Sequence, residues 1–219
     1  MKGNAKKGII AGIVLLVLFA VWTVMVMKVD VQPVGQNGTN IGFAGINTWF
    51  HAMTGEHLWI YELTDKLEWL AILVCAGFGV LGLVQLIQRK SLKKVDPDII
   101  LLGIYYIVVI LAFLLFEKVK INYRPVLIDG KLEASYPSST TLLVLSVMPT
   151  LIFQLKRRTP KSALRTAVII AIVVFTAFVA VGRMVSGVHW LTDIIGAVLL
   201  SAGLYLVYRS AVGLIDGKK

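Results

Sequence analysis

The 219-residue chain is poor in several things that a soluble enzyme uses. It has one cysteine, three histidines and six prolines, and its 12 Asp and Glu are outnumbered by 22 Lys and Arg. A single thiol makes no intramolecular disulfide, and Cys75, set in an apolar run, reads as a small core residue. The histidines and acids show no metal-ligand spacing, so no metal or other cofactor is expected. His51 and His57 do not share a helix face and read as ordinary interfacial side chains. There is no repeat, no low-complexity tract and no linker long enough to divide domains, so residues 1–219 read as one unit. No basic run is interleaved with exposed aromatics, which argues against nucleic acid as the partner of the +10 net charge.

Apolar residues are what the chain has in excess. They make up 58% of it, against roughly 45–50% in a soluble domain, and they come in blocks rather than in alternation. Six blocks, residues 8–27, 69–87, 99–116, 138–155, 166–182 and 191–208, reach the ~18 residues that cross a bilayer as a helix. Pro149 interrupts the fourth, which membrane helices tolerate. The expected fold is an all-α, polytopic bundle of six transmembrane helices. The first block is longer than a signal-peptide core and lacks a small-x-small cleavage site after it, so it is expected to be retained.

The cations cluster in alternate connections: Lys2, Lys6 and Lys7; Arg89, Lys90, Lys93 and Lys94; Lys156, Arg157, Arg158, Lys161 and Arg165; Arg209, Lys218 and Lys219. All fall on one side, which the positive-inside rule makes the cytoplasm, with both termini there. That surplus suits a bacterial plasma membrane. The first outward connection, residues 28–66, contains Trp49, Phe50, Trp59 and Tyr61 and predicts a short interfacial helix, either separate from the second span or merging into it. The span centres are nearly bare of polar groups, which argues against an ion or proton carrier.

Two outward connections break the pattern by carrying cations. In "GRMVSGVHWLTDIIG", residues 182–196, Arg183 ends one span, His189 begins the next, and Asp193 lies one turn deeper. Residues four apart share a helix face, so Asp193 is expected to accept a hydrogen bond from one His189 ring nitrogen and leave the other as a nucleophile or base. A pair that merely satisfies itself at a helix end is the alternative. Arg124-Pro125, with Lys118 and Lys120 upstream, offers a guanidinium fork suited to phosphate oxygens. "YPSSTT", residues 136–141, looks like a helix start with capping hydroxyls, and free backbone N–H groups there attract anions. Together the three segments describe a pocket for a phosphate whose phosphorus is attacked by an imidazole.

In order and spacing these residues resemble the type 2 phosphatidic acid phosphatase (PAP2) superfamily of lipid phosphate phosphatases, whose blocks read KxxxxxxRP, PSGH and SRxxxxxHxxxD. Arg183, His189 and Asp193 fit the third block, Arg124-Pro125 the first and Pro137-Ser138 the second. The resemblance implies a metal-independent hydrolase working in two steps. His189 would form a phospho-histidine braced by Asp193. Arg124, Arg183 and either Lys118 or Lys120 would hold the phosphoryl oxygens, with Ser138, Ser139 and Thr140 near the helix start, and water would finish the reaction. The partners would be a lipid phosphate and the surrounding membrane lipids, met on the extracytoplasmic side. The sequence sets no oligomeric state.

Three positions depart from the blocks. Gly182 stands for Ser, Glu117 falls in the register of the first-block Lys, and Thr140 stands where the family places a general-acid His. A departing phosphate, with a second pKa of about 6, needs a proton far less than a departing alkoxide does. Without the acid, which typically contributes ~10²–10⁴-fold, a lipid diphosphate such as undecaprenyl-type polyprenyl diphosphate is the expected substrate. Tyr123, Tyr136 or a lysine could substitute as the acid. The alternatives are a phosphatidylglycerophosphate or phosphatidic acid phosphatase, or a weakly catalytic member that binds or moves a phospholipid.

Overall fold

The computed structural model describes residues 2–217; Lys218 and Lys219 of the last basic cluster lie outside the described residues. The described residues form seven helices: α1 Lys2–Lys28, α2 Ala44–Thr54, α3 Leu58–Arg89, α4 Pro97–Lys118, α5 Ser139–Arg158, α6 Ala163–Val185 and α7 Leu191–Asp216. All but α2 are long and apolar enough to cross a membrane. Local signals set several ends. Pro97 opens α4, Ser162 accepts the Arg165 N–H at 3.1 Å to start α6, and Lys90 closes α3 in a left-handed conformation.

Helices α5 and α7 form the centre, with half of each apolar stretch buried, whereas α1, α3, α4 and α6 turn most of theirs outward. Outward-facing Val, Ile and Leu are what a lipid-facing surface requires. Several buried polar groups of α5 find partners on its neighbours. Tyr105 donates to the Ser146 carbonyl at 2.9 Å, Tyr106 pairs with Thr150 at 2.7 Å, and Gln154 donates to Tyr208 at 2.9 Å. Such bonds hold membrane helices together where water cannot compete. The end rich in Lys and Arg is clasped by ion pairs, among them Arg158 with Asp98 at 2.7 Å and Arg89 with Asp96 at 2.7 Å.

The opposite end carries the longer connections. Helix α3 starts eleven residues before the expected 69. At ~1.5 Å per residue its 32 residues span about 48 Å, so it projects well beyond a ~30 Å hydrocarbon core. The interfacial helix expected in the first connection is α2, separate from α3, with Trp49 and Met53 exposed. Residues 119–138 fold back as a strap through isolated pairings of Tyr123 with Ala134 and Ile128 with Lys131. The Gln36 side chain donates to the Pro125 carbonyl at 2.8 Å and fastens the first connection to this strap.

Candidate active site

His189 lies in the turn between α6 and α7. Gly187, with φ of 75°, permits that turn, and a side chain there would run into the Gly55 carbonyl. The turn is seated on the α2–α3 junction. The His57 N–H donates to the Ser186 carbonyl at 2.9 Å, and His51 Nε2 donates to the Gly187 carbonyl at 3.1 Å. Asn47, fully buried on α2, accepts from the Thr192 N–H at 3.2 Å and donates to Thr192 Oγ1 at 3.0 Å, fixing the first turn of α7. Trp190 Nε1 donates to the Tyr123 carbonyl at 2.7 Å, joining the same turn to the strap.

The ring orientation differs from the sequence expectation. His189 Nδ1 is 3.2 Å from the Ser135 carbonyl and 3.6 Å from Asp193 Oδ2. A carbonyl only accepts, so Nδ1 carries the hydrogen and donates to it. The Asp193 carboxylate stands beside the ring and accepts instead from the Trp190 N–H at 2.9 Å, because the free N–H groups of a helix start compete for a first-turn acid. Nε2 is left buried with no hydrogen-bond partner among the described residues, its lone pair available. Burial pushes the imidazole pKa well below its ordinary 6.5. The charges of Arg124 and Arg183 push the same way, and the bond to Ser135 pushes back.

Both guanidinium groups are therefore close enough to act on one imidazole. They flank a common aromatic ring, the Arg183 carbon 4.7 Å and the Arg124 carbon 5.4 Å from the centroid of Tyr61. Arg124 is held by the strap. Its backbone N–H donates to the Glu133 carbonyl at 3.0 Å, and its Nε stands 3.2 Å from Glu133 Oε2. Arg183, 1% exposed, donates to Thr140 Oγ1 at 2.6 Å and lies 3.3 Å from Asp65 Oδ1. Arg124 Nη1 and Arg183 Nε have no hydrogen-bond partner among the described residues. A buried donor without a partner is costly, and an oxyanion would supply one.

A cavity of about 380 Å³ opens beside His189 and Arg124. Phe113, Phe116 and Leu142 form an apolar wall, and Lys120, Glu117, Glu133 and Ser139 add polar groups. Of the two candidate lysines, Lys120 lines the cavity, and Lys118, exposed at the end of α4, does not. Ser138 and Thr140 are buried outside the lining. The expected hydroxyl cap of α5 is not made. Ser138, its N-cap, pairs with Thr141 Oγ1 at 2.9 Å, because the two hydroxyls meet across the first turn. The Thr140 hydroxyl accepts from Arg183 and donates to Glu68 of α3. Glu68 and Asn47 carry no local motif that marks them in the sequence, and Tyr61 and His51 read there only as interfacial side chains. Among the described residues no three His, Cys, Asp or Glu side chains are placed to hold a metal ion.

Comparison with known proteins converges on the same segment. The family model of the PAP2 superfamily matches residues 116–214. The structure is similar to the crystal structure of a transmembrane PAP2-type phosphatidylglycerolphosphate phosphatase from Bacillus subtilis. The TM-score is 0.65 at 17% identity, and the match covers 95% of this chain and 97% of that one. No curated protein sequence matches the chain. The resemblance seen in the three sequence blocks is thus met both by family model and by architecture. The segment bearing all three blocks matches the PAP2-superfamily model, and the chain as a whole takes the membrane fold of that phosphatase.

Proposed function

We propose that this multi-pass membrane protein is a lipid phosphatase that works through a phosphorylated His189, with its site on the extracytoplasmic face of a bacterial plasma membrane. The carrying observation is the state of His189. Its Nδ1 hydrogen is committed to the Ser135 carbonyl, and its Nε2 is unpartnered beside two buried, incompletely bonded guanidinium groups. An imidazole so tied is neutral and nucleophilic. Fixed donors around it stabilise charge as it builds on the phosphoryl oxygens. Arg124, Arg183 and Lys120 bind the phosphoryl group, and Asp193 stabilises the imidazolium character that develops on attack. Water then hydrolyses the phospho-histidine. The lipid tail lies along Phe113, Phe116 and Leu142. The clustering of Lys and Arg at the opposite end supports the assignment of sides.

Two substrate classes fit this description. A polyprenyl diphosphate departs as a phosphate and asks least of the site, which suits Thr140 taken alone. A lipid phosphomonoester, such as phosphatidic acid or phosphatidylglycerol phosphate, departs as an alkoxide and needs a proton; the hydrogen bond from Thr140 to Glu68 favours this second reading. The test is phosphate release by purified protein from all three lipids, with His189→Ala as control. Release that vanishes in the variant is expected. Release that survives it, or none by the native protein from any of the three, would overturn the function.

A further inference from the structure

We propose that Glu68, acting through the Thr140 hydroxyl, supplies the proton that the departing oxygen takes, which fits the enzyme for lipid phosphomonoesters. The inference rests on the phospho-histidine reading above and adds to it the missing acid.

The problem is set by the leaving group. When phosphorus moves from an ester oxygen to His189 Nε2, that oxygen departs as a strongly basic alkoxide unless it is protonated on the way. Few groups around His189 carry a transferable proton. The two guanidiniums do not release theirs. Asp193 is engaged by the Trp190 N–H, and Glu133 is paired with Arg124. Tyr136 is bonded to Thr23 Oγ1 at 2.8 Å, and burial pushes its pKa up, away from proton release. Lys120 lines the cavity and is a second candidate; the Thr140 hydroxyl is set apart by its partners. It is completely buried, receives a hydrogen bond from Arg183 Nη2 at 2.6 Å, and touches the Glu68 carboxylate. A hydroxyl alone is a poor acid. A hydroxyl joined to a carboxyl group is a relay.

Position supports the assignment. Glu68 is the last charged residue of α3 before the apolar run that begins at Trp69, and it is half-buried against α5. A carboxylate at the edge of hydrocarbon is unfavourable unless a partner holds it. An ion pair with a nearby lysine would meet that need; Glu68 instead accepts from a hydroxyl that itself accepts from Arg183.

With Glu68 protonated, the carboxyl O–H points at Thr140 Oγ1, and the Thr140 O–H is free to point at the departing oxygen. Nε2 bonds to phosphorus as the phosphorus–oxygen bond breaks. The departing oxygen takes the Thr140 hydrogen, Thr140 takes the Glu68 hydrogen, and Glu68 becomes a carboxylate bonded to Thr140, the arrangement seen in the structure. In the second half water attacks phosphorus, the phosphorus–nitrogen bond breaks, and the water proton returns through Thr140 to Glu68.

The experiment compares leaving groups within one preparation. Purified native protein and Glu68→Gln are assayed with phosphatidic acid, whose leaving alkoxide needs the proton, and with 4-nitrophenyl phosphate, whose phenolate does not. The aryl-to-alkyl rate ratio is expected to rise at least ~100-fold in the variant, the scale of general acid catalysis. The ratio is independent of the fraction folded. A ratio unchanged within about threefold would overturn the relay while leaving the phosphatase standing. Native protein inactive on both substrates would overturn the relay, and His189→Ala still active would overturn the phosphatase itself and the relay with it.

Discussion

Asn47→Ala tests the idea that α2 is a fixing element for the reactive turn. Asn47 is fully buried, and its side chain makes three hydrogen bonds: to the Gly42 carbonyl at 2.8 Å, to Thr192 Oγ1 at 3.0 Å and from the Thr192 N–H at 3.2 Å. At about 1 kcal/mol each, their loss amounts to about 3 kcal/mol, and leaving the Thr192 N–H buried without a partner adds to it. For a chain of this size that corresponds to a fall in Tm of roughly 6–12 °C. Thr192 adjoins Asp193 and lies three residues after His189, so turnover should fall with stability while substrate KM moves little. Thermal unfolding in detergent, followed by intrinsic fluorescence, reads the first effect, and steady-state kinetics below the transition read the second. Met53→Ala, on the exposed face of the same helix, is the control and should stay within about 0.5 kcal/mol. If Asn47→Ala unfolds within about 2 °C of the native protein and keeps its turnover, α2 does not fix α7 and the reasoning fails.

Two further outcomes follow from the geometry. Because burial and then the charges of Arg124 and Arg183 lower the His189 pKa well below 6.5, the neutral nucleophile persists into mildly acidic solution. The acid limb of kcat/KM assigned to His189 should therefore fall below pH 6.5, and Arg124→Gln should move it upward; a limb above 6.5 in the native protein refutes this. At Gly182, where the sequence block has Ser, an added side chain would meet Thr64 Cγ2 at 2.7 Å. Gly182→Ser should destabilise by about 1–3 kcal/mol, and Thr64→Ala should rescue it in the double variant. Additive losses measured by thermal unfolding would show that the two positions do not compete for the same space.

The sequence by itself determined the six spans, because length and hydropathy decide membrane crossing locally and each apolar block needs no partner to declare itself. It also determined that Arg183, His189 and Asp193 fall together, since their spacing is that of one helix end and the turn before it. Hydropathy placed the second span only from Trp69, because Glu62, Asp65, Lys66 and Glu68 interrupt the apolar run, although α3 already begins at Leu58. The partners of the reactive groups depended on tertiary structure. Residues 54 apart decide that the His189 hydrogen goes to the Ser135 carbonyl rather than to Asp193, residues 145 apart decide what fixes α7, and residues 72 apart place Glu68 on Thr140. A hydrogen bond discriminates over tenths of an ångström, whereas spacing along the chain resolves only which face or which end of a helix a residue occupies. The sequence could therefore name the end of the bundle where phosphate chemistry belongs, and the packing of α2, α3 and the strap against α7 decided which atoms meet there.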